Sequence, residues 1–210
     1  MVGGRLVTIE GLDGAGKSTL AASLARAIAD RGHAVELLRE PGGVAISERL
    51  RALVKDPALA VSPRAEALLY AAARAQLVHE LLIPLLEQGA FVLLDRFVDS
   101  SLAYQGAGRA LGIEQVRAIN LFATGGLTPD RTLLLRISPA AGRARLRERA
   151  SEPDRLERED DGFFATIAAA YDELARAEPA RIRALDGAQP PERVLREAVA
   201  AIEDLLATEL

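Results

Sequence analysis

The chain of 210 residues contains no cysteine. That excludes disulfides, thiolate metal sites and cysteine nucleophiles together. Histidine is nearly as scarce. His33 and His79 leave little material for a histidine metal cage or a serine–histidine relay, and both read as structural. Long apolar runs are missing. The N-terminal stretch has one short run, Leu6 to Ile9, interrupted by Thr8. It is too short for a signal peptide, and no run approaches membrane-spanning length, so the expected location is the cytoplasm with no membrane partner. A surplus of positive charge is absent as well. The formal charge is −4, which argues against a nucleic-acid partner and makes any positive field local. Lysine is almost absent: 24 arginines accompany only Lys17 and Lys55. A lysine kept where the chain otherwise takes arginine suggests a place for a compact point charge. What is present is ordinary for a globular chain, 50% hydrophobic and 27% charged, and the length suits one domain over 1–210.

Apolar patterning predicts strands at Arg5–Glu10, Ala34–Leu38, Ala90–Leu94, Arg131–Ile137 and Ile182–Leu185. Helices are predicted between them: Lys17 to about Arg31, a short one around Ile46–Val54, and a long one from Ser62-Pro63 to about Gln88, kinked late by Pro84. Others follow at Ser100–Gln105, Ile113–Ala123, Ala140–Arg149, Phe163–Arg176 and Pro191–Leu206. Phe91 and Phe122 read as core, and Phe163-Phe164 as an anchor for the helix they open. The alternation implies an α/β fold with a parallel five-stranded sheet and helices on both faces. Ligands of such sheets bind beyond the carboxyl ends of the strands, so the loops after Glu10, Leu38, Leu94 and Ile137 should share one rim.

The first of these loops carries chemistry. Gly11-Leu12-Asp13-Gly14-Ala15-Gly16-Lys17-Ser18 matches G-x-x-x-x-G-K-[ST] at every constrained position, after a predicted strand and opening a predicted helix. Glycines bring backbone N–H groups close to phosphate, and the helix N-terminus adds its dipole. Lys17 reaches the outer phosphates, and the Ser18 hydroxyl ligates Mg²⁺. The motif identifies a nucleoside triphosphate site, with ATP as the expected nucleotide. The second acidic strand ends Val92-Leu93-Leu94-Asp95 and is followed by Arg96, not by the glutamate of a water-activating ATPase. A cation there suggests a second anion, and so phosphoryl transfer to an anionic acceptor. A structural Asp95–Arg96 salt bridge is the alternative. The N-K-x-D signature of guanine-binding switches is absent.

Four segments in order then resemble bacterial thymidylate kinases. They are Gly11 to Thr19, Arg39-Glu40-Pro41-Gly42-Gly43, Tyr70-Ala71-Ala72-Ala73-Arg74-Ala75-Gln76, and Asp95-Arg96-Phe97-Val98-Asp99-Ser100-Ser101-Leu102-Ala103-Tyr104-Gln105-Gly106. The resemblance spans essentially the whole chain. It implies a phosphate-loop NTPase fold with a mobile lid at about 146–160, and transfer of the ATP γ-phosphoryl group to dTMP, giving dTDP and ADP. It also implies a homodimer, to which the 63–87 and 113–123 helices are apolar enough to contribute. Tyr70 matches the ring that stacks on the base, and Arg74, four residues on, the contact to a thymine carbonyl. The family more often has phenylalanine then tyrosine where this chain has Tyr70 then Ala71, so the packing behind the stack differs. Ser101 and Gln105 correspond to groups near the base edge, Tyr104 to the residue beside the sugar, and Asp13 to a carboxylate near sugar and phosphate. Arg96 and Arg51 match clamps on the acceptor phosphate. The ATP side comprises Gly11, Gly14, Ala15, Gly16, Lys17, Ser18 and Thr19, and the metal side Ser18 and Asp95, directly or through water.

Thymidylate kinases carry their mobile arginine either in the phosphate loop or in the lid. Gly14-Ala15 holds none, whereas the lid region has Arg143, Arg145, Arg147, Arg149, Arg155 and Arg158. The lid-arginine type is therefore expected, with Arg155 first and Arg149 second for bridging donor and acceptor phosphates. Arg143 and Arg147 share a helical face expected near adenine. Some of this run is a solvated face with i,i+4 ion pairs. Two other functions stay open at this point: a kinase of another nucleoside monophosphate, and an ATP-switched binding protein.

Overall fold

The computed structural model describes residues 3–148 and 152–207. Five strands form one parallel sheet: β1 (Arg5–Gly11), β2 (Val35–Arg39), β3 (Phe91–Asp95), β4 (Arg131–Arg136) and β5 (Ile182–Asp186), in the order β2-β3-β1-β4-β5. The apolar segments Arg5–Gly11 and Phe91–Asp95 are interior strands, as their composition requires, while β2 at one edge alternates partly exposed residues. The period of two sends Val7 and Ile9 to one face. There they pack with Leu20, Leu24 and Ile28 of α1 (Lys17–Ala29) and with Val194 and Ala198 of α9 (Pro191–Ala201). Leu6 and Leu94 face the other layer, against Leu77 of α3 (Pro63–Leu77) and Leu82. On that side Leu134 meets Phe164 and Ile167 of α8 (Asp161–Ala177).

The remaining helices are α2 (Ala45–Lys55), α4 (Ile83–Glu87), α5 (Val98–Ser101), α6 (Ile113–Thr124), α7 (Pro139–Arg147) and α10 (Glu203–Leu206). Ser62 caps α3 by accepting from the Ala65 N–H at 3.4 Å, with Pro63 at the first helical position, as expected.

The long helix runs through 63–87 as expected, with a π-helical turn, Val78–Leu82, between α3 and α4 just before Pro84, whose missing N–H cannot continue the α ladder. The segment after α5 is π-helical over Leu102–Gly108, not α-helical. Phe122 is not core. Its side chain is 92% exposed, because α6 turns Val116 and Asn120 inward and Leu121 and Phe122 outward.

The register sets the site. Ile9 and Arg39 both pair with Asp95, so β2 and β3 end level, while β1 and β4 run on past them to Gly11 and Arg136, with Gly11 paired to Leu135. One cavity on that rim is lined by Asp13–Thr19, Arg39–Pro41, Asp95–Arg96 and Leu135. The expected convergence of loops is thus present.

Candidate active site

The cavity measures about 600 Å³ and runs from the phosphate loop to the face of α3. The loop is shaped by glycine. Gly14 has φ +78°, and a Cβ there would fall on the Gly142 carbonyl of α7, so only glycine lets helix and loop touch. Gly16, at φ 97°, caps α1 in the left-handed region. Lys17 folds over the loop and donates to the carbonyls of Leu12 at 2.9 Å and Gly11 at 3.2 Å. Burial, with Arg96 nearby, pulls its ammonium down to about 8. Ser18 donates to Asp95 Oδ2 at 2.9 Å. A hydroxyl and a carboxylate side by side, next to a phosphate loop, are the hard oxygen donors that Mg²⁺ takes. Among the described residues no group of three or more acidic or histidine side chains is placed to hold a metal, so phosphate oxygens would have to complete that shell.

Arg96 sits at the centre. Its backbone has φ 72°, uncommon outside glycine, which marks the turn after β3 as held by its surroundings. Glu10 does the holding. Its buried carboxylate accepts from the N–H groups of Phe97 at 2.7 Å and Ser100 at 3.2 Å, from Ser100 Oγ at 2.5 Å and from the Tyr171 hydroxyl at 2.9 Å. The Arg96 guanidinium, so aimed, donates to Asp13 Oδ1 at 2.7 Å, Ser100 Oγ at 2.9 Å and the Tyr104 hydroxyl at 3.2 Å. Tyr104 in turn donates to Asp13 Oδ2 at 2.9 Å, and Arg96 lies 5.0 Å from its ring centroid. Burial opposes the Asp13 charge, yet Arg96 and Lys17 hold its carboxyl well below the usual carboxylate range. The triad Asp13–Arg96–Tyr104 is therefore charged and preassembled.

The far wall is denser. Arg74, 2% exposed, donates through Nε to Glu40 at 2.7 Å, through Nη1 to Ser101 Oγ at 3.0 Å and to Asn120 Oδ1, and through Nη2 to the Phe97 carbonyl at 2.9 Å. Burial pushes the Glu40 carboxyl up to about 7 despite Arg74. Its Oε1 is buried without a hydrogen-bond partner. Tyr70 lines the cavity on the same helix, and Arg51 lines it from α2 while donating to the Pro41 carbonyl at 2.9 Å. Ser101, Tyr104 and Gln105 all line it too, but the π-helical turn splits them between groups. Ser101 meets Arg74, Tyr104 meets Arg96, and Gln105 donates to Glu66 at 2.8 Å.

The lid arginines are sorted differently from expectation. Arg155 is not at the phosphate loop. It pairs with Glu66 of α3 at 2.7 Å and donates to the Val54 carbonyl of α2 at 3.0 Å. Arg143 is not in the cavity: it pairs with Asp161 and lies 5.6 Å from the Phe164 ring centroid. Arg149 lies outside the described residues. The lid-side arginine that reaches the loop is Arg145, which donates to the carbonyls of Gly14 at 3.3 Å and Gly187 at 3.2 Å. Sequence patterning assigns no individual role to Arg145, Glu40, Glu66 or Asn120. The signal for Arg145 was Gly142 in mid-helix, three residues before it, where α7 abuts the loop.

A family model described as thymidylate kinase matches residues 9–198. The chain belongs to the thymidylate kinase family. It is 47% identical over 201 residues to the thymidylate kinase of Deinococcus radiodurans, covering 96% of this chain and 97% of that one. It is 43% identical over 205 residues to that of Bacillus licheniformis, with 97% of each chain covered. The crystal structure of thymidylate kinase from Ehrlichia chaffeensis superposes with a TM-score of 0.78 at 25% identity, over 96% of this chain and 99% of that one. The function of the thymidylate kinase family is phosphorylation of dTMP to dTDP with ATP as donor, and the chain is accordingly a nucleoside monophosphate kinase.

Proposed function

We propose that the cavity holds ATP and dTMP end to end, with the acceptor phosphate at Arg96 and the triphosphate along Gly11–Ser18. The observation that carries this is the single cavity joining Lys17 to Tyr70 by way of the Asp13–Arg96–Tyr104 triad. The nucleophile is a phosphate oxygen, already largely ionised because the second phosphate pKa is about 6. No general base is required. The difficulty is to bring two anions together in line, and Lys17 and Arg96 supply the fixed charge. Ser18 and Asp95 would hold Mg²⁺, which neutralises charge on the donor phosphates when bound. Tyr70 stacks on the base, Arg74 and Ser101 face its edge with Gln105, and Arg51 adds a second cation at the phosphate. Tyr104 beside the sugar crowds a 2′-hydroxyl. Arg145, on α7 beside Gly14, takes the donor side in place of Arg143.

Lys17 and Arg145 rest on neutral backbone carbonyls, and a phosphate oxygen, itself an anion, adds a charge–charge attraction that a carbonyl lacks. Both cations can therefore pass to nucleotide at little cost. Homodimerisation is proposed through α3 and α6, which pack together and leave Leu68, Leu121 and Phe122 at 56%, 62% and 92% exposure. Among the described residues no helix is long and apolar enough to cross a membrane.

The test is ADP release measured across dTMP, dUMP, dCMP, AMP and thymidine. The expected result is turnover with dTMP well above the rest. Equal turnover with AMP, or ATP hydrolysis indifferent to dTMP, would contradict it.

A further inference from the structure

Glu66 lies in the first turn of α3, one turn before Tyr70, and its side chain is fully buried. A buried carboxylate is costly unless it is paired, and this one is paired on both sides. Oε1 accepts from Gln105 Nε2 at 2.8 Å and from Arg109 Nε at 3.3 Å. Oε2 lies 2.7 Å from Arg155 Nη1 and 3.2 Å from Arg109 Nη2. Gln105 lines the acceptor half of the cavity, whereas Arg155 belongs to the lid segment.

The lid is tied to this wall by further charges. Lys55 pairs with Asp154 at 2.7 Å, the Arg155 N–H donates to the Lys55 carbonyl at 3.2 Å, and Arg109 pairs with Glu159 at 2.6 Å. Asp154, Leu156 and Glu157 of the same segment line the cavity. The cluster is incompletely satisfied: Oε2 of Glu66, Nη2 of Arg109 and Nη2 of Arg155 are buried without a hydrogen bond, so Oε2 meets Arg155 and Arg109 as an ion pair and not through an aligned hydrogen bond. Two guanidiniums thus share one carboxylate, and a movement of Gln105 toward a base changes what that carboxylate offers them.

We propose that Glu66 is a positioning residue that couples the acceptor pocket to the lid, with Gln105 held by one carboxylate oxygen and Arg155 by the other. The proposal rests on the reading of Gln105 as a neighbour of the acceptor base. Coupling of this kind is reciprocal: whatever dTMP gains by ordering the lid, lid order returns to dTMP.

Amide hydrogen exchange over residues 154–160 tests it in the full chain, with and without dTMP, alongside the dTMP Kd from calorimetry. In the unmodified protein dTMP should slow these amides about tenfold. In Glu66→Gln, which keeps an acceptor for Gln105 but loses the charge, the protection should shrink below about twofold, while Kd rises less than about tenfold. Arg155→Ala should lose the same protection with the buried carboxylate intact, which covers a Glu66→Gln chain that fails to fold. Equal protection in the variants overturns the proposal. Binding of dTMP without any slowing in the unmodified protein overturns it too, and leaves the acceptor site standing. Absence of dTMP binding overturns both.

Discussion

The two walls of the cleft are built in opposite ways. On the acceptor wall, every donor group of the buried Arg74 is matched to Glu40, Ser101, Asn120 or the Phe97 carbonyl, groups drawn from three parts of the chain. On the lid side, Arg145 touches two backbone carbonyls at the long end of hydrogen bonding, and Arg143 and Arg158 are spent on Asp161 and the Pro153 carbonyl. The difference is one of preorganisation. A wall that must recognise one base is fixed by an interlocked polar network. Where the charge changes, Lys17 and Arg145 rest on replaceable backbone carbonyls, while Arg143 and Arg155 stay tied to carboxylates. Arg96 lies where the two meet, fixed from behind by Glu10 through the turn it occupies and open toward the cavity.

Substitutions can break this contrast at several points. Arg96→Ala should give the largest effect, a fall in kcat on the order of a thousandfold in steady-state assays, because it removes the cation both nucleotides share. A fall under tenfold would mean the junction lies elsewhere. Arg74→Met should act on stability first. It leaves Glu40 buried and unpaired, and urea denaturation should show a loss of about 3–5 kcal/mol. Arg145→Ala should leave stability nearly untouched and lower kcat/KM for ATP by roughly 10- to 100-fold, about 1.4–2.7 kcal/mol, with Arg143→Ala within about twofold. Equal effects from the two would erase the distinction drawn between them. A separate effect is in pH. Folding raises the Glu40 carboxyl from 4.5 to about 7, so between those values the folded chain holds a proton that the unfolded chain has lost. Its contribution to stability is complete below pH 4.5 and is lost as pH rises through about 7. Glu40→Gln should remove that slope from the difference between the two stability–pH curves.

The sequence made one wall more legible than the other. Gly11 to Ser18 could be read outright, because the spacing of its glycines and Lys17 is the geometry itself. The sheet followed from the short apolar runs, and the rim from their parallel alternation. The acceptor residues came from the resemblance, and Tyr70, Arg74, Ser101, Tyr104 and Gln105 do line one cavity. The helix types escaped because α and π turns use the same residues, and only Pro84 gave a local hint. Glu66 looked like an acid suited to the first turn of a helix, where the dipole favours one. Its partners Gln105, Arg109 and Arg155 are far along the chain. The lid arginines are locally alike, so what distinguishes Arg145 from Arg143 is Gly14 and Asp161, contacts that only the tertiary fold supplies.

The most direct measurement is a crystal structure with ADP and dTMP bound together. The account predicts the diphosphate along Gly11–Ser18, the thymine ring against Tyr70, and the dTMP phosphate on Arg96, in line with the terminal phosphate of ADP. A dTMP phosphate bound away from Arg96, or a base outside the Tyr70–Gln105 wall, would contradict it.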